Sequence, residues 1–225
     1  MTERFDRNRD LIDQSKLTDV SVIGCGGIGS ALAVNLAIMG WRNIQFIDDD
    51  KLETHNLSTT TFAAEQLGNY KADAAKDAIR TYGSIEQWES TESLKIQASS
   101  EIPQQLFGKV FIGTDSMYSR RELYANWLSN NSREFFIDMR MGALSLNVAT
   151  ATKETDTYIN TWYDDDEVED EPCTEKHTIF CAQLAASMGM NQAFALFKRI
   201  PYYSYITHAL SPPKLTLSQD DFVLP

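Results

Sequence analysis

Cysteine is scarce in this chain of 225 residues, which has only Cys25, Cys173 and Cys181. An odd number of thiols, one of them inside a glycine-rich turn, argues against a framework of disulfide bonds. The charged amino terminus, MTERFDRNRD, lacks the apolar segment of a secretory signal. We therefore expect a protein that works in a reducing cytoplasm.

Basic residues are fewer than acidic ones, and long apolar runs are absent from the sequence. The chain has 20 Lys and Arg against 32 Asp and Glu, a formal net charge of −12, which argues against a nucleic-acid partner. No run of 18 apolar residues is present, so we expect no membrane-spanning helix and no membrane partner. Much of the acidic excess lies at 164–171. We interpret this run as a solvated loop, with a docking or lid segment as the alternative.

The most informative segment is 20–57. A β-branched apolar run that ends at Ile23 leads into a turn with four glycines, a helical stretch follows, and a second apolar run ends in Asp48, Asp49 and Asp50. A strand, a glycine turn, a helix and a second strand with acid at its carboxyl end are typical of a nucleotide-binding unit. Backbone N–H groups and the helix N-terminus meet phosphate there, and the acid meets the ribose hydroxyls.

The apolar periodicity extends this unit into one α/β domain. We predict a Rossmann-like doubly wound sheet, mostly parallel, with antiparallel strands at the C-terminal side. The predicted parts are an N-terminal helix at 1–16, a nucleotide-binding core at 17–162, an acidic crossover loop at 163–177, and a C-terminal helix and tail at 178–225. Within the core we predict a helix over 63–82, strands at 94–98, 110–113 and 135–138, and a hairpin from 143–152 and 158–162.

Three further polar residues, Asn56, Lys71 and Asp115, follow predicted elements at the sheet's carboxyl edge, where ligands bind in open α/β sheets. A glycine turn alone is shared by dehydrogenases, flavoenzymes and methyltransferases. A dehydrogenase needs neither a phosphate-binding lysine nor a metal-binding aspartate, whereas an enzyme that attacks a triphosphate needs both. The pattern favours ATP with Mg²⁺, and an NAD-linked oxidoreductase is the alternative that only the glycine turn supports.

In these motifs the chain resembles the ThiF/MoeB/HesA superfamily, the relatives of ubiquitin-activating enzymes. The resemblance runs from the RFDR segment that ends at Arg7 to about Phe197. Asp48 and Asp50 match the acids of a D-x-D motif, and Lys71 matches the lysine of an I-G-x-x-K segment. By this resemblance the nucleotide-binding residues are Gly24, Gly26, Gly27, Gly29, Asp48, Asp50, Asn56, Lys71 and Arg120.

The resemblance also implies an activity, the ATP-dependent adenylation of the C-terminal carboxylate of a small ubiquitin-like protein or peptide, with release of pyrophosphate. Arg7 would reach the ATP of the partner subunit in a homodimer, Lys71 would neutralise phosphate charge, and Asp115 would bind Mg²⁺. Cys181 is the candidate for a later thioester step, helped by a helix N-terminus that lowers its pKa; a cysteine that only packs is the alternative. Arg140 is a candidate contact for the acceptor's tail.

The chain departs from the family pattern at two places. Thr59 stands where the family's N-L-x-R-Q segment has arginine, so Arg42 or Lys51 would have to supply that charge. Without it, the alternative is a nucleotide-binding regulatory or structural module that has lost turnover. The family's paired C-x-x-C motifs are reduced to Cys173, with Lys176 at the next position, so we expect no structural zinc. The acceptor is not named by the sequence.

Overall fold

The computed structural model describes residues 3–98, 102, 106–154, 157–164 and 178–224. Within these ranges the chain forms ten strands and five α-helices, besides short 3-10 turns. The strands are β1 (Thr18–Ile23), β2 (Arg42–Ile47), β3 (Glu92–Leu94), β4 (Lys109–Ile112), β5 (Phe135–Met141), β6 (Ser145–Thr152), β7 (Tyr202–Tyr203), β8 (Tyr205–Leu210), β9 (Pro213–Leu217) and β10 (Phe222–Val223). The helices are α1 (Gly27–Met39), α2 (Lys71–Tyr82), α3 (Ile85–Glu89), α4 (Met117–Leu128) and α5 (Ile179–Lys198).

Eight strands form one mixed sheet in the order β3-β2-β1-β4-β5-β6-β8-β9. The first five in this order are parallel, and β6, β8 and β9 continue the sheet antiparallel. This confirms the predicted fold class. β1 lies between β2 and β4, so the chain's direction across the sheet reverses at β1. The carboxyl ends of these three strands meet at the place where open α/β sheets bind their ligands.

Alternate residues of the strands supply two apolar layers. On one face, Val20, Val22 and other buried residues pack with α1, α2 and α5, and on the other face Val110 and Ile112 pack with α4. The α1 segment carries buried residues nearly all round, because helices flank it on both sides and the sheet lies beneath it. This sandwich fixes where α1 begins, directly beyond the end of β1. None of the helices in the described ranges is long and apolar enough to cross a membrane.

The N-terminal helix predicted at 1–16 is wrong. Only two short 3-10 turns, Glu3–Phe5 and Gln14–Lys16, form in the described part of this segment. The segment has no apolar stripe at helical spacing, and it is held by polar contacts instead. Arg4 donates hydrogen bonds to backbone carbonyls at the ends of α1 and α2. Tertiary hydrogen bonds therefore replace those of a helix.

Other predicted elements also differ from the structure, and the strand predicted at 94–98 forms as β3, Glu92–Leu94. The helix predicted from residue 63 begins only at Lys71, because Gly68 adopts φ +83°, which a helix does not allow. The predicted strand at 158–162 is a 3-10 turn, Tyr158–Thr161, whose first residue packs into the α4 layer. The hairpin partner of β6 is β5. The acidic run of the crossover loop lies, apart from Asp164, outside the described residues.

Candidate nucleotide site

Close packing fixes the glycine turn between β1 and α1. Gly24 has φ +83°, and a Cβ atom there would lie 2.8 Å from the carbonyl oxygen of Gly113. A Cβ atom on Gly29 would lie 2.0 Å from the carbonyl oxygen of Gly24. A Cβ atom on Gly27 would lie 2.8 Å from the carbonyl oxygen of Thr59. These three glycines let neighbouring backbones approach the start of α1.

Gly26 differs from the other three glycines, because a Cβ atom there would meet nothing within 4 Å. Gly26 is the N-cap of α1, and its carbonyl accepts the N–H of Ser30 at 2.8 Å. The first N–H groups of a helix have no partner within the helix and carry its partial positive charge. Open space at this position therefore fits a phosphate group.

The packing at Gly24 gives a testable difference in stability. We expect Gly24→Ala to lower the free energy of unfolding by about 2–4 kcal/mol, because it adds a backbone clash to an unfavourable φ. Gly68 has the same φ of +83° but no neighbour within 4 Å of its missing Cβ atom. Gly68→Ala should therefore cost only about 1 kcal/mol. Urea denaturation of both variants measures the two values, and equal losses would contradict the packing argument.

Asp48 ties the glycine turn to the end of β2. One carboxylate oxygen accepts the N–H of Cys25 at 2.7 Å, and the other accepts the N–H of Asp50 at 2.8 Å. Burial raises the pKa of Asp48, and the N–H donors and Lys71 offset only part of that rise. The described geometry makes Asp48 the support of the turn, and its contact with ribose stays a prediction.

Lys71 is the cation at this edge of the sheet. Its Nζ lies 2.7 Å from Oδ2 of Asp50, and its backbone N–H donates to the carbonyl of the same residue at 2.8 Å. Burial alone would lower the pKa of Lys71, but the hydrogen bond with Asp50 and the charge of Asp48 raise it on balance. The ammonium group is therefore charged at neutral pH, as a phosphate ligand requires.

Two sets of acids are candidates for holding Mg²⁺. The carboxylate oxygens of Asp48, Asp49 and Asp50 lie within 4.8 Å of one another. Asp115 is exposed just beyond β4 and is not part of this group. Two of the clustered acids, Asp48 and Asp50, already bind backbone N–H groups or Lys71. All of the candidate acids offer carboxylate oxygens, the ligands that Mg²⁺ prefers. The donor set fits the ion, and the assignment to Asp115 stays a prediction.

The segment after β2 places Asn56 and Thr59 beside α1. Oδ1 of Asn56 accepts the N–H of Glu53 at 2.9 Å, and the Thr59 hydroxyl donates to the carbonyl of Asn56 at 3.2 Å. Position 59 therefore presents a neutral hydroxyl at the place of the family arginine. Arg42 begins β2, at the opposite edge of the sheet, and is too far away to replace that charge. Lys51 is closer, with its Nζ 5.2 Å from the centre of the Tyr70 ring.

Arg120 lies in the protein interior. Its Nε donates to Oδ1 of Asp138 at 3.0 Å, and one of its Nη atoms donates to the carbonyl of Thr114. The remaining Nη is buried without a partner among the described residues. These contacts tie Arg120 to the backbone that precedes Asp115, and its binding of nucleotide stays a prediction.

Arg140 is likewise committed within the protein. Its Nε donates to Oδ2 of Asp138 at 2.7 Å, and its two Nη atoms donate to the carbonyl and the hydroxyl of Thr161 at 2.7 and 2.8 Å. The Tyr158 hydroxyl donates to the same carboxylate at 2.8 Å. Sequence reasoning missed Asp138 and Tyr158. The available signal was the acid at the end of the apolar FFID run, two residues before an arginine on the same strand face.

Two candidates from the sequence remain, Arg7 and Cys181. Arg7 is exposed on the N-terminal segment, so its role toward a partner subunit stays a prediction. Cys181 is buried in the first turn of α5, and its thiol donates to the carbonyl of Ser145 at 3.3 Å. Burial raises the pKa of this thiol, against our expectation of a lowered value. This environment favours the packing alternative for Cys181. Cys173 lies outside the described residues.

Solved structures share this fold at low sequence identity. That of E. coli MccB with succinimide matches with a TM-score of 0.77 and 16% identity, covering 99% of this chain and 72% of that one. The structure of PaaA matches with a TM-score of 0.75 and 17% identity, covering 99% of this chain and 74% of that one.

Curated relatives match a shorter part of the chain. The SUMO-activating enzyme subunit 2 of Dictyostelium discoideum is 30% identical over 132 residues, which are 55% of this chain and 20% of the relative. The NEDD8-activating enzyme E1 catalytic subunit of the same organism is 36% identical over 104 residues, 45% of this chain and 23% of the relative. The matches thus span about a fifth of those relatives' length. The family match is broader: residues 6–216 match the ThiF family, and the chain belongs to it.

Proposed function

We propose that this protein adenylates the C-terminal carboxylate of a small ubiquitin-like protein or peptide. The observation that carries the proposal is the open cradle at Gly26 together with the charged Lys71 at the same edge of the sheet. Its relatives are named as activating enzymes for SUMO and NEDD8, and solved MccB structures include complexes with ATP and with MccA. ThiF-family membership supports ATP as the nucleotide.

In the proposed reaction, a carboxylate oxygen of the acceptor attacks the α-phosphorus of ATP. The bond from that phosphorus to the bridging oxygen breaks, pyrophosphate leaves with the electron pair, and an acyl-adenylate remains. Little covalent work falls to the side chains, so positioning and charge neutralisation dominate. The start of α1 and Lys71 neutralise phosphate oxygens, while Asp48 keeps the glycine turn in place. Asp115 would hold Mg²⁺, which would supply further neutralisation of the charge on the pyrophosphate.

A second function has specific support. The neutral Thr59 and the distant Arg42 leave this site with less positive charge than the family pattern provides. That favours a module that binds nucleotide without turning it over. Arg7 of a partner subunit in a homodimer would restore one charge under the first function. Turnover therefore separates the two functions.

The test is exchange of labelled pyrophosphate into ATP, in the presence of a panel of ubiquitin-like proteins and peptides with free C-termini. The same peptides with amidated C-termini are the matched control, because they lack the attacking carboxylate. Exchange with free acids alone supports adenylation. Calorimetric ATP binding without any exchange supports the regulatory module, and absence of ATP binding contradicts both functions.

Asp115→Ala tests the assignment of the magnesium ligand. We expect exchange to fall by about 100-fold or more, because charge stabilisation of the departing group is lost. ATP binding measured without Mg²⁺ should stay unchanged, since the variant keeps Lys71 and the glycine turn. Asp10→Ala, at another exposed aspartate, is the control and should exchange normally. A normal exchange rate with Asp115→Ala would contradict Asp115 as the Mg²⁺ ligand and would favour Asp48, Asp49 and Asp50 instead.

A further inference from the structure

A second pocket lies on the α4 side of the sheet, away from the glycine turn. Its volume is about 420 Å³, and its walls include Thr161, Trp162 and Tyr205 together with the carboxylates of Asp220 and Asp221. No lysine or arginine is among the described residues that line it. Two aromatic rings and two carboxylates around one cavity are the chemistry that binds an organic cation.

The arginines near this pocket already have carboxylate partners. Arg140, which bonds to Thr161 behind the wall, is paired at 2.7 Å with Asp138, a carboxylate that it shares with Arg120. Arg121, whose guanidinium lies 5.4 Å from the centre of the Trp162 ring, is paired with Asp164 at 2.9 Å. Asp220 and Asp221 form no ion pair with any described residue. The two unpaired carboxylates outnumber the single excess positive charge of the Arg120–Arg140–Asp138 group, so the surroundings of the pocket stay negative on balance.

The wall of the pocket is preformed. Arg140 makes two hydrogen bonds to Thr161, and the Tyr158 hydroxyl is bound to Asp138, so the 3-10 turn is fixed at both ends. The indole N–H of Trp162 is buried and has no hydrogen-bond partner within the described ranges. A basic side chain thus matches the aromatic rings and the carboxylates of the residues that line the cavity.

The position of the pocket relates it to the nucleotide site. The sheet register runs from Ile112, the last residue of β4, through Asp138 and Ala149 to Tyr205. Ile112 in turn pairs with Ile23, where β1 ends before the glycine turn, so four strand spacings of ~4.8 Å place Tyr205 about 19 Å from that point. A few residues of extended chain, at ~3.3 Å each, cover this distance. A chain whose carboxylate lies at the nucleotide site can therefore reach the pocket.

The two acids of the pocket lie beyond the segment that matches the ThiF family. The family match ends at residue 216, and Asp220 and Asp221 follow it. Asp221 is held in place because its Oδ1 accepts the hydroxyl of Ser204 at 3.2 Å and its carbonyl accepts the N–H of the same residue at 2.6 Å. We propose that this pocket binds a lysine or arginine side chain of the protein or peptide acceptor and selects for it. The identity of the ligand as the acceptor rests on the proposed function.

The test follows the indole N–H resonance of Trp162 by nuclear magnetic resonance, assigned with Trp162→Phe. The probes are N-acetyl-argininamide and the neutral N-acetyl-glutaminamide. We expect a saturable shift with the arginine probe and none with the glutamine probe. The double variant Asp220→Asn with Asp221→Asn should bind the arginine probe about tenfold more weakly, since it removes both charges and keeps the side-chain size. Equal binding by this variant, or equal response to the two probes, would overturn the proposal.

A matched double variant, Glu86→Gln with Glu89→Gln, removes two exposed charges on α3 and should bind the arginine probe like the native protein. Pyrophosphate exchange is then measured with octapeptides that carry one arginine, or one glutamine, at successive positions. We expect about a tenfold preference in kcat/KM for arginine at one position, lost in the aspartate double variant. A resonance shift without exchange would sink the proposed function and leave the pocket standing. Exchange without a resonance shift would contradict the proposed pocket and leave the proposed function standing.

Discussion

Lys71→Met is expected to lower the rate of ATP–pyrophosphate exchange by about 100- to 1000-fold, the usual cost of removing one group that stabilises developing charge. Methionine keeps the length and the apolar stem of the side chain while it removes the ammonium group. We expect a decrease near the upper limit of this range. The hydroxyl of Thr59 cannot neutralise phosphate charge, and Arg42 lies at the start of β2, at the edge of the sheet opposite the nucleotide site.

The same substitution should leave the fold intact. Its carboxylate partner, Asp50, is largely exposed, with 67% of its side chain accessible. Water can therefore solvate this carboxylate when the ion pair with Lys71 is lost. Exposed pairs of this kind contribute roughly 0–1 kcal/mol. Lys214→Met, at an exposed position of β9, is the matched control and should exchange normally. A Lys71→Met protein that exchanges within twofold of the native rate would remove this residue from the mechanism.

The nucleotide-binding half of the fold was predictable because its signals are local. Alternating apolar residues define β1 and β2, and the glycines between β1 and α1 are required by contacts over a few residues. Lys71 and Asp115 could be placed at one edge because parallel strands end at one edge. The later apolar runs also predicted the antiparallel continuation on the C-terminal side of the sheet.

The N-terminal segment and the turn at Tyr158–Thr161 were not predictable in the same way. A charged segment without an apolar stripe gives no sign that Arg4 will bind carbonyls of α1 and α2. The segment 158–162 was predicted to be a strand because aromatic residues such as Tyr158 and Trp162 favour strands. Tertiary packing against α4 decides its conformation instead. Long-range contacts overrode local propensity in both places.

Arg120 and Arg140 show the same limit within the site. Their residue type and position suggested ligand contacts, and only the structure shows that one buried carboxylate binds both. Asp138 belongs to β5, Arg120 to α4 and Tyr158 to a later turn, so no sequence spacing relates them. An acid at the end of an apolar strand was the one visible sign that a buried ion pair would be needed.

Asp138→Ala is the second change with a large expected effect. We expect it to lower the free energy of unfolding by about 3–5 kcal/mol, because it leaves two buried guanidinium groups without their shared carboxylate. Asp77→Ala, which removes a 3.4 Å pair with Arg80 on the surface of α2, is the matched control and should cost less than about 1 kcal/mol. Urea denaturation at neutral pH measures both. A loss of similar size in the two variants would mean that the buried network adds little to stability.

The pH dependence of stability isolates the charge of Asp138 from its volume. Burial alone would raise the pKa of this carboxyl, but Arg120 and Arg140 outweigh burial and hold the pKa below its usual value. Because the folded-state pKa is lower than the unfolded value of about 3.9, the stabilisation is fully present above that value. It is lost as the pH falls through the folded pKa.

The isosteric Asp138→Asn variant lacks this contribution, so the stability difference between it and the native protein should be constant from pH 8 to about pH 5 and shrink below that. A difference that stays constant down to pH 2 would show that the network is held by shape and hydrogen bonds rather than by the carboxylate charge.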